Sequence, residues 1–170
     1  VWCLATGSCA QVLEGHAGMV RGLACLPEGS RLASASVDKT IRLWRLLEGP
    51  AGAASAASCE RVLRDHGASV FGVAALPGGL LASASADRTV RLWEVDTGRC
   101  VSVLEGHTAG VLCVVSLAGG LLASTSLDRT VRLWSSEPCA AGGESVRVLG
   151  GYTGDVVCAA AVPGPGGEGR

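Results

Sequence analysis

The chain has 170 residues, of which 48% are hydrophobic and only 17% are charged, and its formal net charge is −1. A net charge so close to zero gives no basic surface of the kind that binds phosphate backbones, so we expect no nucleic-acid partner. Glycine, with 25 residues, is present at about twice its usual share, which is typical of turn-rich β structure.

One segment occurs three times with small changes, at residues 12–44, 62–93 and 103–134. The distance from the His near its start to the Trp at its end is nearly constant, whereas the connection after the Trp varies in length. A repeat with a period of about 40 residues is typical of stacked or ring-shaped repeat folds. Because the length varies only in this connection, we expect it to be a surface loop that tolerates insertions in each unit.

Each repeat predicts four short strands in the same order. An apolar run such as 70–76 is followed by a turn such as Pro-Gly-Gly, and then by Leu-Ala-Ser-Ala-Ser or a close variant. An Asp-led turn and the run Thr-Val-Arg-Leu-Trp come next, and a short strand such as 99–104 completes the unit. No stretch has helical periodicity. Four-stranded sheets repeated around an axis predict an all-β fold of the propeller type.

These features together resemble the WD40 repeat family. The resemblance rests on Gly-His near the start of the repeat, Ser-x-Asp-x-Thr in its middle and a closing Trp, over about residues 1–162. Asp65 replaces the Gly before the second His, and Tyr152 stands where a fourth His would fall. The residue after the closing Trp is not the eponymous Asp but Arg45, Glu94 or Ser135.

The resemblance implies a WD40-type β-propeller, present as a partial ring of three full four-stranded blades with parts of two flanking blades. The full repeats are expected at 15–65, 66–106 and 107–151. Residues 1–14 would end one flanking blade and 152–162 would begin the other, before a Gly/Pro-rich tail at 163–170. Because such rings usually have seven blades in this family, we expect the chain to be a fragment of a longer protein whose other repeats close the ring.

A Ser, a His and an Asp recur together in every repeat, in the combination used by catalytic triads. An active site is not normally built three times at one register, so we interpret the set as structural. The WD40 resemblance implies that the Trp indole N–H bonds the Ser hydroxyl, that Ser bonds His, and that His bonds Asp; the choice between Ser34 and Ser36, and between their equivalents, stays open. The expected structural tetrads are His16, Ser34, Asp38 and Trp44; His66, Ser83, Asp87 and Trp93; and His107, Ser124, Asp128 and Trp134.

The resemblance places the common docking surface of the family on the narrower face of the ring, around its central channel. Its residues fall three and five positions after the His and just before the Asp. Phe71, Leu112 and Leu127 would form an apolar patch there, with an Arg beside it as an anchor; alternatively, Phe71 and Leu112 line contacts between blades. The expected partner-binding residues are Met19, Arg21, Val37, Phe71, Leu112 and Leu127.

Five of the eight cysteines follow the repeat as well. Cys9, Cys59 and Cys100 share a position on the outermost strand, where neighbouring blades are too far apart for a disulfide. Cys113 and Cys158 share a position on the innermost strand, where a small buried hydrophobic residue fits. No Cys-x-x-Cys pair is present, so we expect no metal and no cofactor. Reduced cysteines favour a cytoplasmic or nuclear location.

These observations predict a non-enzymatic protein–protein interaction scaffold that docks a peptide or domain on the propeller face, within a multiprotein complex whose members the sequence does not identify. The alternative is a regulatory propeller segment of a larger multidomain enzyme, such as a kinase, or of a ubiquitin-ligase adaptor. Two uncharged windows, 67–86 and 108–127, match a charged counterpart in the first repeat. We interpret them as buried hairpins, and we expect no membrane partner.

Overall fold

A computed structural model of the chain describes residues 1–3, 7–9, 11–27, 29–46, 58–136 and 145–160. Within these segments the protein forms three four-stranded antiparallel sheets, one two-stranded sheet and a single 3-10 turn at Pro77–Gly79. The prediction of an all-β partial propeller is confirmed, and the ring is open. None of the helical structure in the described segments is long and apolar enough to cross a membrane. The predicted tail 163–170, and residues 161–162 before it, lie outside the described residues.

The strands follow one another in each sheet as a simple meander. We name the three large sheets the first, second and third blade. The N-terminal pair is β1 (Trp2–Cys3) and β2 (Ser8–Cys9). The first blade is β3 (Val20–Cys25), β4 (Arg31–Ser36), β5 (Ile41–Arg45) and β6 (Ser58–Leu63). The second is β7 (Val70–Leu76), β8 (Leu80–Ser85), β9 (Val90–Glu94) and β10 (Cys100–Leu104). The third is β11 (Val111–Leu117), β12 (Leu121–Ser126), β13 (Val131–Ser135) and β14 (Arg147–Leu149).

The turn between the second and third strand of each blade is built by its Asp. In the second blade Asp87 Oδ1 accepts hydrogen bonds from the backbone N–H and the hydroxyl of Thr89, at 3.0 and 2.7 Å. The intervening residue adopts the left-handed conformation, with φ of 73° at Arg88. Lys39 and Arg129 do the same in the other blades, at 71° and 64°. The Asp side chain therefore holds a sharp turn without glycine.

The hydrophobic core lies between the blades. One buried cluster joins Leu43 and Leu63 of the first blade to Trp93 of the second. The next cluster joins Leu92 of the second blade to Trp134 of the third. Leu92 and Trp93 serve different clusters because successive residues of a strand point to opposite faces of the sheet. Each blade thus covers one face of its neighbour, and the repeat packs as a stack.

The innermost strands of neighbouring blades approach each other backbone to backbone. A Cβ added to Gly22 of β3 would lie 3.0 Å from the carbonyl oxygen of Phe71 and 3.1 Å from the Cα of Gly72. A Cβ added to Gly72 of β7 would lie 3.3 Å from the Cα of Cys113. Glycine is present here because the facing atoms are main-chain atoms that cannot rotate away.

We predict that Gly22→Ala lowers the free energy of unfolding by about 1–3 kcal/mol, because the added methyl group is forced against β7. Gly150→Ala is the matched control, because nothing described lies within 4 Å of a Cβ at that position. Urea unfolding of the whole chain followed by tryptophan fluorescence measures both. Equal stability of the two variants would contradict close packing of the inner strands.

Candidate functional site

The Trp, Ser, His and Asp of each repeat are joined by hydrogen bonds into one chain. In the second blade Trp93 Nε1 donates to Ser83 Oγ at 2.8 Å, Ser83 Oγ lies 2.7 Å from His66 Nε2, and His66 Nδ1 lies 2.6 Å from Asp87 Oδ2. The first blade repeats these distances as 2.8, 2.7 and 2.8 Å, and the third as 2.8, 2.7 and 2.7 Å. All twelve residues of the expected tetrads are therefore brought together, four to a blade.

The two serines of the second strand have different partners. Ser34, Ser83 and Ser124 hold the tetrads, whereas Ser85 Oγ accepts the backbone N–H of Asp87 at 3.1 Å. Ser36 and Ser126 accept the equivalent N–H at the same distance. The Asp also binds the His loop, since its Oδ2 accepts a backbone N–H at 2.9 to 3.1 Å from Ala17, Gly67 or Thr108.

One assignment of protons leaves every donor in the tetrad with an acceptor. The indole N–H donates to the Ser oxygen, the Ser hydroxyl donates to Nε2 of a neutral His, and the His Nδ1–H donates to the carboxylate. This is also the arrangement of a charge relay. However, the hydroxyls of Ser83 and Ser124 belong to residues that are fully buried, and each already binds a Trp. A substrate could not reach them, so the geometry supports a structural role.

The tetrad changes the ionisation of its members. Burial disfavours the carboxylate of Asp128, but hydrogen bonds from Thr130, His107 and the Thr108 N–H stabilise it more strongly, and its pKa falls to about 2. The same balance lowers the pKa values of Asp38 and Asp87. Burial also lowers the pKa of His107, outweighing the opposite effect of Asp128. Within the described segments no three His, Cys, Asp or Glu side chains are grouped so as to hold a metal ion.

The innermost strand of each blade contains a β-bulge at the position expected to bind a partner. In β3 Val20 pairs with Ser36 and Gly22 with Ala35, so Arg21 between them has no partner on β4. The register shift falls on Phe71 in β7 and on Leu112 in β11. A bulge releases one residue from the ladder and redirects its side chain. The repeat pattern did not reveal the bulges, although a glycine inside a strand, as at Gly22, is a signal for one.

The bulged residues line an open cleft of about 590 Å³ between the first strands of the three blades. Arg21 lies over the ring of Phe71, with 6.0 Å between the guanidinium carbon and the ring centroid. Leu112 from the third blade and Val157 from the segment after it complete the wall. Phe71 and Leu112 are partly exposed and belong to neither buried inter-blade cluster.

The other expected face residues lie at the ends of strands, outside the lining of this cleft. Met19 directly precedes β3 and is 67% exposed, and its carbonyl accepts the backbone N–H of Val37 at 3.0 Å. Leu127 follows β12 and is also exposed. The structure thus groups Arg21, Phe71 and Leu112 in one cleft and leaves Met19, Val37 and Leu127 at strand ends.

The expectation of small buried residues at the shared cysteine position is wrong for Cys158. Cys113 is half-buried, whereas Cys158 is exposed. The physical reason is its place in 152–160, the last segment that the structure describes, where no described strand packs against its outer side. Both thiols are therefore more accessible to solvent than the buried side chains of the core.

We predict that Ser83→Ala lowers the free energy of unfolding by about 2–4 kcal/mol, because the buried Trp93 N–H and the His66 ring nitrogen both lose their partner. Ser116→Ala in β11 is the control, because its hydroxyl binds nothing among the described residues. Urea titration of both variants gives the comparison. A loss below 0.5 kcal/mol (about the effect of an ordinary surface substitution) in Ser83→Ala would contradict the role of the tetrad.

We predict that stability falls with acidification in two stages. Below about pH 6.5 the unfolded His takes up a proton that folded His107 resists, so the free energy of unfolding decreases as pH falls. Between about pH 4 and 2 the lowered pKa of Asp128 acts with the same sign and removes about 2 kcal/mol more. Urea midpoints at a series of pH values measure both stages. His107→Gln should flatten the first stage; an equal fall between pH 7 and 5.5 in wild type and in His107→Gln would contradict the lowered pKa of His107.

Comparison with known proteins places these features in a family. The family described as WD40, "WD domain, G-beta repeat", matches residues 7–45, 57–94 and 98–135, together more than half of the chain. The Periodic tryptophan protein 2 homolog of Mus musculus is 52% identical over 48 residues, which cover 28% of this chain and 5% of that protein. The Ribosome biogenesis protein erb1 of Aspergillus clavatus is 52% identical over 42 residues, which cover 25% and 5%.

The Periodic tryptophan protein 2 of Saccharomyces cerevisiae is 50% identical over 46 residues, or 27% of this chain and 5% of that protein. Each of these similarities has about the length of one repeat, and the chain spans only a small part of these relatives. The three matched segments each contain all four tetrad residues of one blade and most of its strands. The chain therefore belongs to the WD40 repeat family.

Proposed function

We propose that this chain is a non-enzymatic protein-interaction scaffold that docks a peptide or a domain of a partner protein on its channel-side face. The observation that carries the proposal is the row of three bulged residues, Arg21, Phe71 and Leu112, one from each blade. These side chains are free of the strand ladder and converge on one cleft. Aromatic, aliphatic and Arg side chains of this kind dominate the energy of protein interfaces.

The chemistry of the cleft favours one kind of partner. Arg21 is the only charged residue among the described residues that line the cleft, and the others are apolar, small or cysteine. An Arg stacked on an aromatic ring keeps its N–H groups available for a carboxylate. A segment carrying a bulky apolar side chain next to an Asp or Glu would satisfy both features. We propose this as the motif that the partner presents.

The relatives suggest where the partner is to be sought. Two of the similar proteins named above are periodic tryptophan proteins, and the third is named as a ribosome biogenesis protein. We therefore propose that this chain works in a multiprotein assembly, and that its partner is to be sought in the nucleus first and then in the cytoplasm. We further propose that 15–65, 66–106 and 107–151 are the repeat units. Residues 152–162 would begin another blade, which is supported by the hydrogen bond from Val156 N to Ser126 O at 3.3 Å.

A photo-crosslinking experiment tests the docking face directly. Phe71 is replaced by p-benzoyl-phenylalanine, the chain is incubated in a nuclear extract, and irradiation joins the residue to whatever protein contacts it. The control carries the same substitution at Val148, which is 48% exposed on the outer strand of the third blade. We expect position 71 to crosslink to specific proteins, and we expect position 148 to crosslink to none of those proteins.

The substitution Arg21→Glu adds a test of the partner's charge. Reversal of the charge places a carboxylate against the partner's carboxylate, so the yield of the position-71 adducts should fall by roughly ten-fold or more, as expected for the loss of a charged anchor. Identical adducts from positions 71 and 148 would exclude this face as the docking site. Adducts that are insensitive to Arg21→Glu would exclude an acidic partner motif.

A further inference from the structure

One position of the repeat carries a cysteine in two successive units. Counted from the His or its Tyr equivalent, Gly22, Gly72, Cys113 and Cys158 occupy the same place in successive repeats. The Cβ contacts of 3.1 and 3.3 Å between the first three members were described above. Adding a bond of about 1.5 Å puts the Cα atoms of Gly22 and Gly72, and those of Gly72 and Cys113, less than about 5 Å apart. The repeat predicts the same spacing for Cys113 and Cys158, and disulfides form between Cα atoms roughly 4.4 to 6.8 Å apart.

The two sulfur atoms also converge in the structure. The Sγ atoms of Cys113 and Cys158 both hydrogen-bond the carbonyl oxygen of Ala159, at 3.9 and 3.5 Å. Both residues line the cleft that also holds Arg21, Phe71 and Leu112. Burial, together with the neighbouring Cys158 thiol, raises the pKa of the Cys113 thiol. Cys158 is exposed and Cys113 is half-buried, so a reagent in solution reaches Cys158 first.

We propose that Cys113 and Cys158 form a redox-active dithiol that closes into a disulfide between β11 and the segment 152–160. The oxidant that this requires is a small disulfide, of which glutathione disulfide is the example. The two cysteines belong to successive repeats, so the bond joins β11 of the third blade to the segment that follows that blade. It lies beside Leu112 and Val157 and fixes that wall of the cleft.

The reaction proceeds by two thiol–disulfide exchanges. The Cys158 thiolate attacks one sulfur of glutathione disulfide, and the first glutathione thiolate leaves as a mixed disulfide forms on Cys158. The Cys113 thiolate then attacks the Cys158 sulfur and expels the second glutathione. Two protons leave the protein thiols and are taken up by the two glutathione thiolates. The protein dithiol is oxidised by two electrons, and glutathione disulfide is reduced to two glutathione molecules.

The test is disulfide mapping of the complete, folded chain. The chain is equilibrated in buffers of defined glutathione to glutathione disulfide ratio, quenched with N-ethylmaleimide, and digested without reduction for mass spectrometry. We expect one cross-linked peptide pair containing Cys113 and Cys158. Because the fold holds the thiols together, the bond should close roughly ten-fold or more faster than in urea. Far-UV circular dichroism verifies that the chain is folded before oxidation.

Two variants make the test specific. Cys113→Ser removes the resolving thiol, so the reaction should stop with one glutathione on Cys158. Cys100→Ser alters an outer-strand cysteine and should leave the cross-link unchanged. The proposal is overturned if folded wild type accumulates glutathione on Cys158 while Cys113 remains alkylated. It is equally overturned if the cross-links are distributed over other cysteines or if the pair closes no faster than in urea.

Discussion

A single serine hydroxyl buried in each blade is the point on which the rest of the structure depends. It accepts a hydrogen bond from the Trp of the third strand and shares another with the His of the incoming loop. The His in turn binds the Asp that builds the turn between the second and third strands. Four polar side chains are stable in an apolar interior only because each of them has a hydrogen-bond partner. The tetrad therefore ties a loop, a turn and two strands into one unit before any neighbouring blade is added.

Packing between blades then uses both faces of that unit. The Trp that anchors the tetrad projects from one face of the sheet into the cluster shared with the preceding blade, while the adjacent Leu projects into the cluster shared with the following one. Where β3, β7 and β11 approach one another, Gly22 and Gly72 leave room for the facing main chain. The tetrad fixes the shape of each blade, and the apolar clusters and the glycines fix the distance between blades.

Much of this could be read from the sequence because the information is repeated three times. The strand order, the Asp-led turns and the membership of the tetrads all follow from positions that recur in register. The choice between Ser34 and Ser36 could not be made, because residues two apart on a strand share a face. It is decided by cross-strand register, which pairs Ser34 with Arg42 and Leu32 with Trp44. The β1–β2 pair and the exact end of β3 at Cys25 also depend on such local hydrogen bonds.

The exact place of the bulges and the contact between the two cysteines could not be predicted from the sequence, for a related reason. A bulge shows only in the pairing of two strands, and the contact of Cys113 with Cys158 depends on the distance between two repeats. The bulges also remove one of the two constraints on a strand residue. A paired residue must both hydrogen-bond to the neighbouring strand and fit its surroundings, whereas the residue at position 21, 71 or 112 has no pairing partner on the neighbouring strand. Each blade can therefore carry a different side chain at this position while keeping the same strand pairing, and the three bulged residues together set the chemical character of the cleft.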